Sequence, residues 1–127
     1  CEVVEQYMCM TNLVAAIPHP VPPELAELIA QRLRVIGDPM RIRLLDHLRE
    51  GEASVASLTE TLGATQQNVS KHLQVLHQAG IVGRRKDGTS VLYRIVDSSV
   101  FELCELVCGG LQRQLSDLNA LVQGASR

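Results

Sequence analysis

The chain is 127 residues long, 46% hydrophobic but only 2% aromatic, with no Trp and one Phe, and its formal net charge is −2. That length fits one domain, the scarcity of aromatics calls for an aliphatic core and favours helix packing over a β-sandwich, and no apolar run approaches the roughly 18 to 20 residues needed to cross a bilayer. The charge is unevenly spread: residues 65–95 hold Lys71, Arg84, Arg85, Lys86 and Arg94 against the single acid Asp87, the local footprint of phosphate contact on an otherwise acidic chain.

Residues 1–23 read as an N-terminal arm. Its end, Ile17-Pro18-His19-Pro20-Val21-Pro22-Pro23, cannot be helical, because proline removes donors and restricts the residue before it. No basic stretch followed by an apolar one marks a signal peptide, so a cytoplasmic location is expected. The domain proper is read over 24–122, with 123–127 as a C-terminal tail. From Pro23 apolar residues recur at helical spacing (Leu25, Leu28, Ile29, Leu33, Ile36) until Gly37. Asp38-Pro39 starts a second helix, with Asp as N-cap and Pro at the first helical position, and Gly51 closes it. A short third helix begins near Ser54 and stops at Gly63. Thr65 caps a fourth, over about Thr65–Ala79, whose inward stripe is Val69, Leu73 and Leu76. Two short helices joined through a glycine are the helix-turn-helix layout.

Two strand-like runs then flank Asp87-Gly88, the pair preferred in a type I′ hairpin turn. A basic hairpin directly after such a helix is a wing. The last helix is read over about Ser98–Val122, with a long apolar stripe of Val100, Leu103, Val107, Leu111, Leu115, Leu118 and Val122.

Several blocks together resemble the ArsR/SmtB-type metalloregulatory repressors: Gly37-Asp38-Pro39-Met40-Arg41-Ile42-Arg43-Leu44-Leu45, Gln67-Asn68-Val69-Ser70-Lys71-His72-Leu73-Gln74-Val75-Leu76, Ala79-Gly80-Ile81-Val82, and Gly88 with Leu92-Tyr93-Arg94. The likeness covers about residues 24–115. It implies a mainly α fold with a small β-hairpin, a winged helix-turn-helix that dimerises through its first and last helices. It also implies double-stranded operator DNA as partner, released when an effector binds. A homodimer sets two reading helices about one DNA turn apart, so the operator is expected to be an inverted repeat. Neither a Gly-rich phosphate loop nor a nucleophile elbow nor an ordered acid–base pair is present, so no enzymatic activity and no membrane partner are expected.

With Val69, Leu73 and Leu76 inward, Gln66, Gln67, Ser70, Lys71 and Gln74 face out of the fourth helix. Gln pairs bidentately with adenine, and Ser and Lys reach bases or phosphates. Gln66, Gln67 and Ser70 are expected at bases, Lys71 at base or phosphate, and His72, beside a core Leu, is included in the DNA-binding set. Arg84, Arg85 and Lys86 alternate along a strand, so two of the three are expected at phosphate.

The effector site is harder to place. Where family members that bind arsenic or cadmium carry Cys-Val-Cys in the third helix, this chain has Ser54-Val55-Ala56. Of the zinc site on the last helix only Asp97 matches; the other positions align with Ser99, Gly110 and Arg113. Cys104 and Cys108 remain, at i and i+4 on one helical face about 6 Å apart, able to chelate a soft ion. The metal(loid) effector favoured is As(III) or Sb(III), with Cd(II) or Pb(II) as alternatives, and a third thiolate is sought in Cys9 or Cys1. The competing readings are that the two thiols are small apolar residues in the dimer seam, or that they respond to oxidation or persulfidation.

Overall fold

The structure, a computed structural model, describes residues 17–125. Cys1 and Cys9 lie outside the described residues. The chain divides into two compact units, residues 1–33 and 34–127. In the first, the His19–Pro20 peptide bond is cis, and helix α1 (Pro23–Ile36) begins at the expected proline. Its apolar period makes a helix without burying its face inside one chain: Leu28, Ile29 and Leu33 are exposed and only Ile36 is buried.

The second unit contains α2 (Pro39–Leu48), β1 (Ala53–Ser54), α3 (Val55–Leu62), α4 (Gln66–Gln78), β2 (Val82–Asp87), β3 (Ser90–Ile95) and α5 (Ser99–Ala125). Three helix starts are capped by the side chains expected from the sequence. Asp38 Oδ1 accepts from the backbone N–H groups of Met40 (2.9 Å) and Arg41 (3.2 Å). Ser54 Oγ accepts from Ser57 N, and Thr65 Oγ1 from Asn68 N. These bonds satisfy donors that a helix N-terminus otherwise leaves orphaned. Gly63, at φ 65°, turns the chain left-handed between α3 and α4, which a side chain would resist.

The core is aliphatic, as the composition requires. Leu44, Leu45 and Leu48 of α2 meet Leu58 and Leu62 of α3 and Val69, Leu73 and Leu76 of α4. Ile81, Val82, Tyr93 and Val100 close it, and Tyr93 is its one buried aromatic among the described residues. At about 1.5–3 kcal/mol per fully buried large aliphatic side chain, this cluster is what holds α4 in place.

The sheet has three strands in the order β1-β3-β2. The hairpin is present, but its turn differs from the expected one. Asp87 still pairs with Ser90, so the turning residues are Gly88 and Thr89, one position later. Gly88 has φ 65°, and among the described residues no non-glycine residue has positive φ. That excludes type I′, which needs positive φ at both positions. Strand β1 is absent from the sequence reading because two residues carry no period. Ala53 pairs with Tyr93 and Ser54 with Leu92.

Candidate nucleic-acid interface

Helix α4 presents two chemically distinct faces. Val69, Leu73 and Leu76 are fully buried, which forces Gln66, Gln67, Lys71 and Gln74 to be exposed and Ser70 half-exposed. Those five line an open cleft of about 330 Å³ along the helix. A larger groove of about 590 Å³ separates α4 from the wing and brings Gln66, Ser70 and Gln74 opposite Arg84, Arg85, Lys86 and Thr89. Ser54, Val55 and Ala56 floor one end of it. Thr89 and Ser90 at the hairpin tip were not singled out in the sequence, since no residue type marks them; only the hairpin's register puts them there.

The strand register sorts the wing's cations. Val82 pairs with Ile95, Arg84 with Tyr93 and Lys86 with Val91, so these six side chains share one face. That face is buried at Val82 and Tyr93 and becomes cationic toward the tip. Arg85, paired with Leu92, and Arg94, paired with Gly83, lie on the opposite face. There Arg85 is engaged: Nε donates to Glu52 Oε2 (3.0 Å) and Nη2 to Glu52 Oε1 (2.5 Å). The bond from Arg85 holds the Glu52 carboxyl below its ordinary value; partial desolvation opposes this, and the Arg85 and Arg94 charges reinforce it. The same carboxylate raises the Arg85 pKa.

His72 lies on another flank of α4. Its side chain is 13% exposed and lies 3.9 Å from Asp38 Oδ1, and Arg41 Nη1 lies 3.1 Å from its Nδ1. Arg41 Nε also donates to Val35 O (2.6 Å). One guanidinium thus joins the end of α1, the start of α2 and the flank of α4. His72, expected in the DNA-binding set, is turned toward α2 and does not line the cleft formed by Gln66, Gln67, Ser70, Lys71 and Gln74. Desolvation disfavours the ionised Asp38, but the Arg41 backbone bond, His72, the Arg41 charge and the Met40 bond outweigh it and leave its pKa lowered.

Cys104 and Cys108 are free thiols one turn apart on α5, the first half-buried and the second exposed. Among the described residues no group of three or more His, Cys, Asp or Glu is placed to hold a metal ion. Asp97 Oδ1 instead accepts from Ser99 N (3.1 Å) and Ser99 Oγ (2.6 Å). No described helix is long and apolar enough to cross a membrane.

Residues 36–85 match the family model for a helix-turn-helix domain. The transcriptional repressor SmtB of Mycobacterium tuberculosis is 38% identical over 80 residues, 63% of this chain and 59% of SmtB. The chain therefore spans about three-fifths of that relative's length. The transcriptional regulator Rv0081 of the same species is 35% identical over 100 residues, 78% of this chain and 88% of that protein. The Rv0081 crystal structure is similar at a TM-score of 0.67 and 36% identity, covering 76% of this chain and 96% of that one. The crystal structure of AntR, an antimony-specific transcriptional repressor, is similar at a TM-score of 0.66 and 25% identity over 81% of this chain and 99% of that one.

Proposed function

The chain belongs to the ArsR/SmtB-type family of winged helix-turn-helix transcriptional regulators, and we propose that it is a homodimeric repressor that binds an inverted-repeat operator and leaves it when a soft metalloid engages the thiolates of α5. The observation that carries the DNA half is the polar face of α4 set across a groove from Arg84 and Lys86. Gln66, Gln67 and Ser70 read base edges, Lys71 and Gln74 reach base or backbone, and Arg84 and Lys86 hold phosphates. Val107, Leu111, Leu115, Leu118 and Val122 are each at least half exposed and recur at helical spacing along α5. A second copy of the chain covers that stripe.

The effector half rests on Cys104 and Cys108. The likeness to an antimony-specific repressor supports a trivalent metalloid, which two thiolates of α5 and a third from Cys9 or Cys1 would satisfy. Lead or cadmium would use the same soft donors. Release follows from linkage: an effector that binds the low-affinity dimer better draws it off DNA, and DNA weakens effector binding by the same factor.

The test uses the reduced protein on a duplex that it selects from a random-sequence pool, titrated with arsenite, antimonite, cadmium, lead and zinc. Antimonite or arsenite is expected to weaken DNA binding by about 30- to 150-fold, the scale of ordinary allosteric coupling, and Cys104→Ser and Cys108→Ser are expected to abolish the response. Release by every ion in both variants would rule out the α5 thiols. A parallel titration with hydrogen peroxide separates a redox response from a metalloid one.

A further inference from the structure

Three cations stand in a row on β2, yet they do not have the same surroundings. All three border the groove along α4, but the strand register puts Arg84 and Lys86 on one face of the sheet. Arg85 is on the other face, and its planar fork is filled by both carboxylate oxygens of Glu52. Glu52 directly precedes β1, the short edge strand that pairs with β3. The pair therefore ties β2 to the chain entering the far edge of the sheet, spanning the central strand. Arg94 adds a second positive charge facing Glu52. Its guanidinium lies over Gly83, where an added Cβ would stand 3.1 Å from Arg94 Cζ.

We propose that Arg85 is a positioning residue for DNA binding rather than a phosphate contact: through Glu52 it holds the wing at the angle that presents Arg84 and Lys86 to the backbone. The inference rests on the DNA-binding reading above. A bidentate arginine–carboxylate pair fixes direction as well as distance. The third strand supports the wing only at Leu92 and Tyr93, and the two strands beyond them gain stiffness from a side-chain tie, since two strands alone are marginal. Glu52 is thereby a working part of the interface although its charge is the wrong sign for DNA.

The two roles separate in the salt dependence of binding. Each phosphate neutralised by a side chain contributes about −0.9 to the slope of log affinity against log salt, whereas a positioning residue changes affinity at every salt concentration alike. The measurement is made on the full chain with the duplex it selects from a random pool, for Glu52→Gln, Arg85→Ala, the double variant, Arg84→Ala and Lys86→Ala. Glu52→Gln and Arg85→Ala are each expected to weaken binding about two- to fivefold, the range of an exposed ion pair, with the slope unchanged. The double variant is expected to be no weaker than either single one. Arg84→Ala and Lys86→Ala are expected to make the slope shallower by about 0.9 per chain.

Tighter binding and a steeper slope in Glu52→Gln, both cancelled by adding Arg85→Ala, would overturn the inference: Glu52 would then be a competitor masking a phosphate contact. Unchanged affinity in both single variants would overturn it too. If the pool yields no duplex bound by the unaltered chain, the DNA reading itself fails, a result distinct from either of these.

Discussion

At Asp38 a single carboxylate starts α2, and it does so beside Arg41 and His72, which join α2 to α4. Asp38→Ala is expected to cost about 1 kcal/mol, the usual worth of a helix N-cap, measured by urea unfolding near neutral pH. The acid dependence has a definite sign. The folded-state pKa lies below the ordinary 3.8, so this stabilisation is fully present above that value and is lost as pH falls below it. His72 packs with this cluster. His72→Ala is therefore expected to lower stability by about 1 kcal/mol, a typical hydrogen-bond contribution, while leaving the salt slope of DNA binding as it was. A shallower slope would return His72 to the interface. Ser54 and Asp97 are both helix-start acceptors. The caps were legible in the sequence, because a cap is a short-range pattern.

The reading helix was legible for the same reason. The inward stripe of Val69, Leu73 and Leu76 recurs within one element, and it dictates which polar residues face out. The turn before it depends on Gly63, whose φ of 65° suits glycine. Gly63→Ala is expected to destabilise the fold by about 1–2 kcal/mol, the usual penalty for a side chain in the left-handed region, although an added Cβ there would meet open space. A thermal melt checks this, and an unchanged melt would mean that the turn relaxes to another conformation. The wing was legible as a hairpin but not in its register. Asp-Gly signals a turn, and which of its residues turns is decided by the pairing of Asp87 with Ser90. Strand β1 was not legible at all, since its two residues pair only because β3 arrives beside them.

For the whole molecule the central question is what the apolar residues cover. Leu73 is fully buried between α2, α3 and the sheet's first residues. Leu73→Ala is expected to cost about 2–5 kcal/mol, enough to threaten the fold of a domain of ordinary stability. The stripe on α5 is different in kind: it is as apolar as the core stripe but exposed in one chain. The double substitution Leu111→Glu with Leu115→Glu is expected to leave helix content intact and to yield a monomer in sedimentation velocity. Its affinity for the selected duplex should fall steeply, because one half-site contact is lost. A dimer that survives both charges would place the interface elsewhere.

Local pattern was enough to set the helices, their caps, the aliphatic core and the outward residues of α4, because each depends on neighbours within a turn or two of the same element. Three matters lay beyond it. Alternation along β2 says that Arg85 points away from Arg84 and Lys86, but not that Glu52, 33 residues earlier, takes it up. Periodicity places His72 beside Leu73, but not against Arg41, 31 residues away. The stripe on α5 reads like a core stripe, and only packing leaves it uncovered. Charge pairing and burial are properties of residues brought together from distant parts of the chain, so the folded molecule decided which wing cation is paired with a carboxylate and which apolar face is left exposed.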